Sequence, residues 1–432
     1  MKKLLSLVLA LALAASLCAC TALKTVEGDP NKPADNGTDV QNAEPSEQGG
    51  QVSEMDTALE ALGSQVIVDI SKKEEFFKAP DGTDQTILTF SYDTATAHIE
   101  GNDAASERIN GSLAVLEETF YSGTGMGDGV NGMLEQATDN YGVALQTGDQ
   151  RPLEFTSSRS AFVTRSDSRV LSLVYETQVY NGGAHGTYHQ RAYVFDTRTG
   201  ERMTFSSLCD SAELTEAMKA YIAAKMYAMA IEPDSGVDLS LFPDENSLVT
   251  KLNALIREAS WYLDDEGLVI FSDVYELGSY AAGIIRFRFS YDDLRDFLST
   301  KWLPTPREGD GNFSVAYVSD VPLGSETILA RVEVDPAATE LCLSAKGTVY
   351  DVTVVSVNYI SDDVGFYETA QHWACSYMHD CAIQLVTILP DGMPKVMIRY
   401  TSADGSLHKL LVTQSGEDGS LILTDDSIVA VG

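Results

Sequence analysis

The sequence predicts an α+β fold: an antiparallel sheet with packed helices, followed by a C-terminal all-β region built as a sandwich or barrel. Three patterns carry this prediction. Leu171, Leu173, Tyr175, Thr177 and Val179 fall on every second position, the period of a strand with one buried face. Leu214, Met218, Tyr221, Ile222, Met226 and Met229 recur at three- and four-residue steps, a helical stripe that reads as core rather than as a ligand groove. Beyond residue 303, strand-forming runs follow one another between Gly and Asp turns.

In chain order, residues 1–19 join a positive start, Met1-Lys2-Lys3, to an apolar run at 4–17 that is too short to span a membrane and reads as a secretory signal. Residues 20–58 are rich in Gly, Pro, Asn, Asp, Glu and Ser and lack aromatics, so they predict a disordered tether with a reach on the order of 30 Å. A first α+β domain is expected over 59–200. Its strands fall at 65–70 and 86–99, and one helix places Ile109, Leu113, Leu116 and Phe120 on a single face. A second helix follows at 130–145, then strands near 171–179 and 188–196, the latter turning at 196–200 towards 202–205. A second α+β domain is expected over 201–302, with a helix capped by Asp244 and a strand block at 261–289, where Ile285, Phe287 and Phe289 alternate with Arg286, Arg288 and Ser290. A short helix is expected at 291–298. Pro304, Pro306 and Glu308-Gly309-Asp310-Gly311 mark a boundary, and 303–432 reads as a separate β domain with strands at 315–318, 328–334, 349–359, 382–389, 396–400 and 407–413.

Charge narrows the partners. Lys and Arg total 29 against 64 Asp and Glu, a formal charge of -35, which repels nucleic acid and steers basic proteins inward. Six cysteines are present; Cys18 and Cys20 belong to the leading segment, and of the other four only Cys375 and Cys381 are close in sequence. In an export compartment that pair is the disulfide candidate, with Cys209 and Cys342 expected as buried apolar residues.

No catalytic constellation emerges. Gly127-Asp128-Gly129-Val130-Asn131-Gly132 fits a dinucleotide fingerprint in form, but no strand precedes it. His185 and His189 would lie roughly 13 Å apart in an extended chain, too far to share a metal ion. His372, Cys375, His379 and Cys381 match no common zinc spacing, and no G-x-S-x-G elbow occurs. The paired acids Asp264-Asp265-Glu266, Asp292-Asp293 and Asp362-Asp363 sit in turn-like stretches and read as solvated faces. No catalytic residue, metal or cofactor is therefore assigned.

Leu17-Cys18-Ala19-Cys20 resembles the bacterial lipoprotein signal, which implies acylation of Cys20 and a lipid anchor holding the chain to the membrane on its extracytoplasmic face. Tyr180-Asn181-Gly182-Gly183-Ala184-His185, Asp196 with Thr199-Gly200, and Phe205-Ser206-Ser207-Leu208 resemble the domain beside the catalytic part of PdaC-type peptidoglycan deacetylases. Tyr262-Leu263, Gly267-Leu268-Val269-Ile270-Phe271, Tyr275-Glu276-Leu277 and Tyr280-Ala281-Ala282-Gly283 resemble the RsiV-type extracellular domain, which senses lysozyme. The chain departs from these relatives in showing neither an anti-sigma segment with a membrane span nor the deacetylase metal ligands. The resemblance implies a non-catalytic binding or sensing module for a cell-wall component, such as peptidoglycan, or for a lysozyme-like protein. The alternative is an accessory or docking subunit for envelope enzymes, and after it a peptidoglycan-modifying hydrolase. Two loops, with Tyr180, Asn181, His185 and His189 on one and Tyr275 and Tyr280 on the other, are the candidate binding residues because aromatic and polar groups could be exposed there together.

Overall fold

The computed structural model describes residues 61–123, 129–148, 153–322, 324–336, 338–361, 365–389 and 393–425. The expected signal, Cys20 and the tether lie outside the described residues, as do Gly127, Asp128 and the Asp362-Asp363 pair. All described residues belong to one unit, Ala61–Gly432.

The described helices are α1 (Asp103–Ser122), α2 (Val130–Thr147), α3 (Ala212–Ala230) and α4 (Glu245–Leu255). The first strands are β1 (Val66–Lys78), β2 (Thr86–Ile99), β3 (Phe155–Ser166), β4 (Val170–Tyr180) and β5 (Thr187–Asp196). Next come β6 (Trp261–Leu263), β7 (Gly267–Phe271), β8 (Arg286–Ser290), β9 (Asn312–Tyr317), β10 (Ile328–Glu333) and β11 (Thr339–Lys346). The last are β12 (Thr348–Ser361), β13 (Gly365–His379), β14 (Ala382–Thr387), β15 (Val396–Thr401), β16 (Leu407–Gln414) and β17 (Leu421–Asp425).

A ten-stranded sheet in the order β17-β16-β15-β12-β13-β1-β2-β3-β4-β5 runs through the unit, beside a four-stranded sheet, β10-β14-β11-β9, and a three-stranded one, β6-β7-β8. β1 joins the halves of the large sheet: β2 pairs along its length, while Ile67, Val68 and Asp69 pair on the other side with Cys375, Ala374 and Trp373 of β13. The parallel β2–β3 ladder stops at Tyr92 and Arg159. Beyond it two buried side chains satisfy the backbone donors of β3, which would otherwise be costly orphans: Asp93 Oδ2 accepts from Ala161 N and Gln371 Oε1 from Val163 N, each at 2.9 Å.

The C-terminal region is all-β, and it packs as a sandwich. Leu341, Leu343, Ile383 and Leu385 of the four-stranded sheet share a core with Val352, Trp373, Cys375 and Ile398 of the large one. It is not the free-standing domain expected after residue 303, because β12, β13 and β15–β17 continue the sheet begun by β1–β5. At the other end, Met218, Ile222 and Met226 of α3 and Leu248 and Leu252 of α4 pack with β6–β8, realising the expected stripe as core. α4 starts at a capping box in which Asp244 accepts from Ser247 N, as its sequence suggests. α1 covers β1–β5 with Ile109 and Leu113, and α2 seals the end of β2 with Met133 and Tyr141.

The turn at 196–200 is pressed against the start of α1. Gly200 has φ 74°, and a Cβ there would stand 2.5 Å from Ala105 O, so only glycine fits. Three local expectations differ. Residues 291–298 form a run of turns rather than a helix, residues 202–205 add only the Phe195–Arg202 bridge and a Met203 N to Val194 O hydrogen bond before a short 3-10 turn begins at Phe205, and β3, β11, β13 and β17 were not expected at all. The Cys375–Cys381 bridge is also absent, since both are free buried thiols, as are Cys209 and Cys342. Cys375 Sγ lies inside β13 and donates to Tyr377 O at 3.0 Å, whereas Cys381 follows the strand, beyond a turn at Asp380.

Candidate binding site

The two loops singled out in the sequence meet in space. The β4–β5 connection brings His185 flat against Tyr280, with ring centroids 4.1 Å apart and planes inclined by 24°. His185 Nε2 lies 2.9 Å from Tyr275 Oη, and the Tyr275 and Tyr280 rings are 5.9 Å apart. All three side chains are exposed, Tyr275 by 54%. Tyr180 and Asn181 share the hairpin, but no ring contact or hydrogen bond joins either to the cluster among the described residues. His189 points to a different partner, with Nδ1 3.8 Å from Asp273 Oδ1.

Why Tyr275 stands out follows from its neighbours. Val274 and Leu277 are buried in the α3–α4 core and anchor the loop on both sides. Asp273 receives Arg191 Nη1 at 2.8 Å through Oδ2, while Glu276 receives Arg257 Nη2 at 3.0 and 2.9 Å, Lys251 Nζ at 2.9 Å and Asp273 N at 2.8 Å. Burial raises the Asp273 carboxyl, but the His189 and Arg191 contacts outweigh it and hold it down at about 2. Burial likewise opposes ionisation of Glu276, and its hydrogen bonds and cations again win, leaving it below the ordinary value. Between these two clamped carboxylates Tyr275 adopts φ 66°, a left-handed conformation that a bulky residue pays for. The exposed ring is thus presented rigidly, at a cost in backbone strain.

The metal-type residues are spent separately. His372 Nε2 sits 2.7 Å from Ser356 Oγ, and His379 Nδ1 2.9 Å from Thr348 Oγ1. Burial lowers the basicity of His372 and raises the Cys381 thiol. Among the described residues no group of three or more His, Cys, Asp or Glu is placed to hold a metal ion.

One larger feature escaped the sequence. A cleft of about 520 Å³ lies where β3–β5 and the β6–β8 sheet face β12, β13 and β15. On its walls Arg286 Nη2 donates to Gln190 Oε1 at 2.6 Å and Glu176 Oε1 at 3.2 Å, Arg288 Nη1 pairs with Asp264 and Glu266, and Arg399 Nη1 grips Glu368 at 3.1 Å. Arg307 Nη2 bridges Asp351 at 2.6 Å and Asp265 at 3.5 Å. Asp264-Asp265 is therefore no simple solvated face. Burial within the cleft walls, reinforced by Asp351, pushes the Asp265 carboxyl up to about 8 against the pull of Arg307 and Arg165. Gly267, after this turn, has no room for a Cβ against Phe289 O, which ties the acids to the edge of β8. The cleft's residues come from segments more than two hundred positions apart, so no local pattern could have announced them.

Together the fold and the surface define an α+β protein carrying a recognisable central domain. Residues 210–292 match a family described as "Protein of unknown function (DUF3298)"; the match holds α3, α4, β6–β8, Tyr275 and Tyr280 but not His185. Among solved structures, the chain is similar to a DUF3298 family member from Bacteroides fragilis NCTC 9343, at 13% identity over 54% of this chain and 94% of that one, with a TM-score of 0.39. It is also similar to a DUF3298 family protein from Pseudomonas aeruginosa PAO1, at 15% identity over 55% of this chain and 97% of that one, with a TM-score of 0.37. No curated protein matches at a significant level.

Proposed function

We propose that this protein is an extracytoplasmic lipoprotein, anchored through Cys20, that acts as a non-catalytic binding or sensing module of the PdaC- and RsiV-like kind for a cell-wall component or a lysozyme-like protein. The observation that carries this reading is the exposed cluster of His185, Tyr275 and Tyr280, held by two clamped carboxylates and strained at Tyr275. Flat rings offer contact area at little entropic cost, which suits both sugar faces and protein surfaces. The formal charge of -35 favours encounter with a basic protein. Calorimetric titration with lysozyme and with muropeptides, at low ionic strength, tests the proposal. Binding that is lost in Tyr275→Ala and Tyr280→Ala is expected; no binding to either ligand would overturn it.

A docking role is the second reading, favoured by a groove of about 370 Å³ lined by Asn358, Tyr359, Tyr367, Met393, Pro394 and Lys395. Tyr359, Tyr367 and Met393 are exposed there, with Ile360 beside them. Removing residues 304–432 would take away half of the main sheet, so the informative variant is the Tyr359→Ala/Tyr367→Ala pair. Unchanged co-purification of envelope enzymes with that variant would count against docking.

A further inference from the structure

We infer that the cleft between β8 and the C-terminal half of the main sheet binds a small ligand through a single carboxylate, held by Arg286 and Arg288. The two arginines alternate with buried Phe287 and Phe289, so both side chains leave the same face of β8, about 7 Å apart along the strand. They are the open groups of the cleft, with 41% and 47% of their side-chain surface exposed, whereas the carboxylates of Asp264, Asp351, Glu176 and Glu368 sit deeper and are already bonded. Arg288 spends Nη1 on Asp264 and Glu266 and makes no hydrogen bond through Nε or Nη2 among the described residues. The guanidinium fork therefore retains the edge that a carboxylate matches.

Two further groups favour an anion at this wall. Gln190 is fully buried and lines the cleft; Arg286 donates to its Oε1, which fixes the amide orientation, and leaves its Nε2 with no partner among the described residues. An orphaned buried donor is rare in a native fold and calls for a reason. Burial, with Asp351 beside it, pushes the Asp265 carboxyl up to about 8, which weakens its repulsion of an incoming carboxylate. Apart from Glu266, which pairs with Arg288 from the open side, the carboxylates lie behind the donors, and such a surface selects an acceptor-rich ligand. The volume of about 520 Å³ has room for a dipeptide-sized molecule and lies within the range of ordinary small-molecule sites.

The inference stands apart from the aromatic cluster, and its test separates the two. N-acetyl-alanyl-alanine and its methyl ester, inorganic phosphate and the diamine cadaverine are titrated calorimetrically into the full chain at millimolar concentration. The free acid is expected to bind, the ester not. Arg288→Gln is expected to weaken the acid roughly tenfold or more, whereas Arg331→Gln, on a surface pair with Glu333 and Glu340, and Tyr275→Ala leave it unchanged. Circular dichroism confirms that each variant is folded. Equal binding of acid and ester, binding of phosphate or cadaverine alone, an equal loss in Arg288→Gln and Arg331→Gln, or no binding of any probe would each overturn the inference.

Discussion

Tyr275 offers the sharpest test of how this molecule spends stability on presentation. At φ 66° a side chain brings Cβ close to the backbone, at a cost of about 1–2 kcal/mol for any L-residue that is not glycine. Elsewhere glycine is worse than alanine by roughly 0.5–1 kcal/mol, because it loses more freedom on folding. At this position the strain outweighs that entropy, so Tyr275→Gly is expected to be more stable than Tyr275→Ala by about 1 kcal/mol. Both variants lose the same ring and the same contact with His185 Nε2, so their difference isolates the backbone. Both should also lose the proposed binding. Urea denaturation followed by circular dichroism measures the comparison, with the midpoint of the glycine variant higher at an unchanged slope. An alanine variant as stable as the glycine variant, or more stable, would refute the claim that the loop holds Tyr275 under strain.

Four further outcomes are expected. Glu276→Ala removes the partner of Arg257, Lys251 and Asp273 N and should cost about 2–3 kcal/mol; since its folded pKa lies below the ordinary 4.5, that contribution is present above pH 4.5 and fades as pH falls, as denaturation midpoints of both proteins against pH will show. Asp93 runs the other way: burial raises its carboxyl from 3.8 to about 6 against the hydrogen bond from Ala161 N, so the folded state binds more protons and stability falls as pH rises between these values. Asp93→Asn, which keeps an acceptor for Ala161 N, should therefore gain about 2 kcal/mol on the native protein between pH 4 and pH 7; a constant difference across that range argues against the buried charge. Gly200→Ala drives a Cβ into Ala105 O and is expected to lower stability by about 3 kcal/mol in a thermal melt. Alkylation without reductant should label Cys209, Cys342, Cys375 and Cys381 on unfolding and spare them in the native state, whereas labelling of Cys375 and Cys381 only after reduction would restore the disulfide.

Periodicity made the helices legible. The stripe of α3 buries Met218, Ile222 and Met226 and lays Leu214, Tyr221 and Met229 partly buried against the same core, and the Asp244 cap is where a helix start calls for one. The strand at 365–379 was hidden because His372, Cys375, His379 and Cys381 read as a ligand cluster, whereas β13 lies between β1 and β12 with Trp373 and Cys375 in one core and Ala374 in another, so its buried stretch shows no alternation. The aromatic loops were visible as Tyr275 and Tyr280 near a glycine-rich hairpin. Their meeting with His185 was not, because it depends on β5 lying beside the β6–β8 unit.

By itself the sequence determined the fold class, the acidic surface, most elements before residue 303 and the two loops worth inspecting, since propensity, capping and periodicity act over a few residues. Only the tertiary structure decided that β13 returns to β1, that the C-terminal sandwich shares a sheet with the N-terminal strands, and that Asp265, Arg286, Arg288 and Asp351 face one cleft. Those outcomes are set by burial and hydrogen bonding between segments some three hundred residues apart. Such pairings leave no local mark, because each strand's apolar face is satisfied by many partners and only packing the whole chain selects among them.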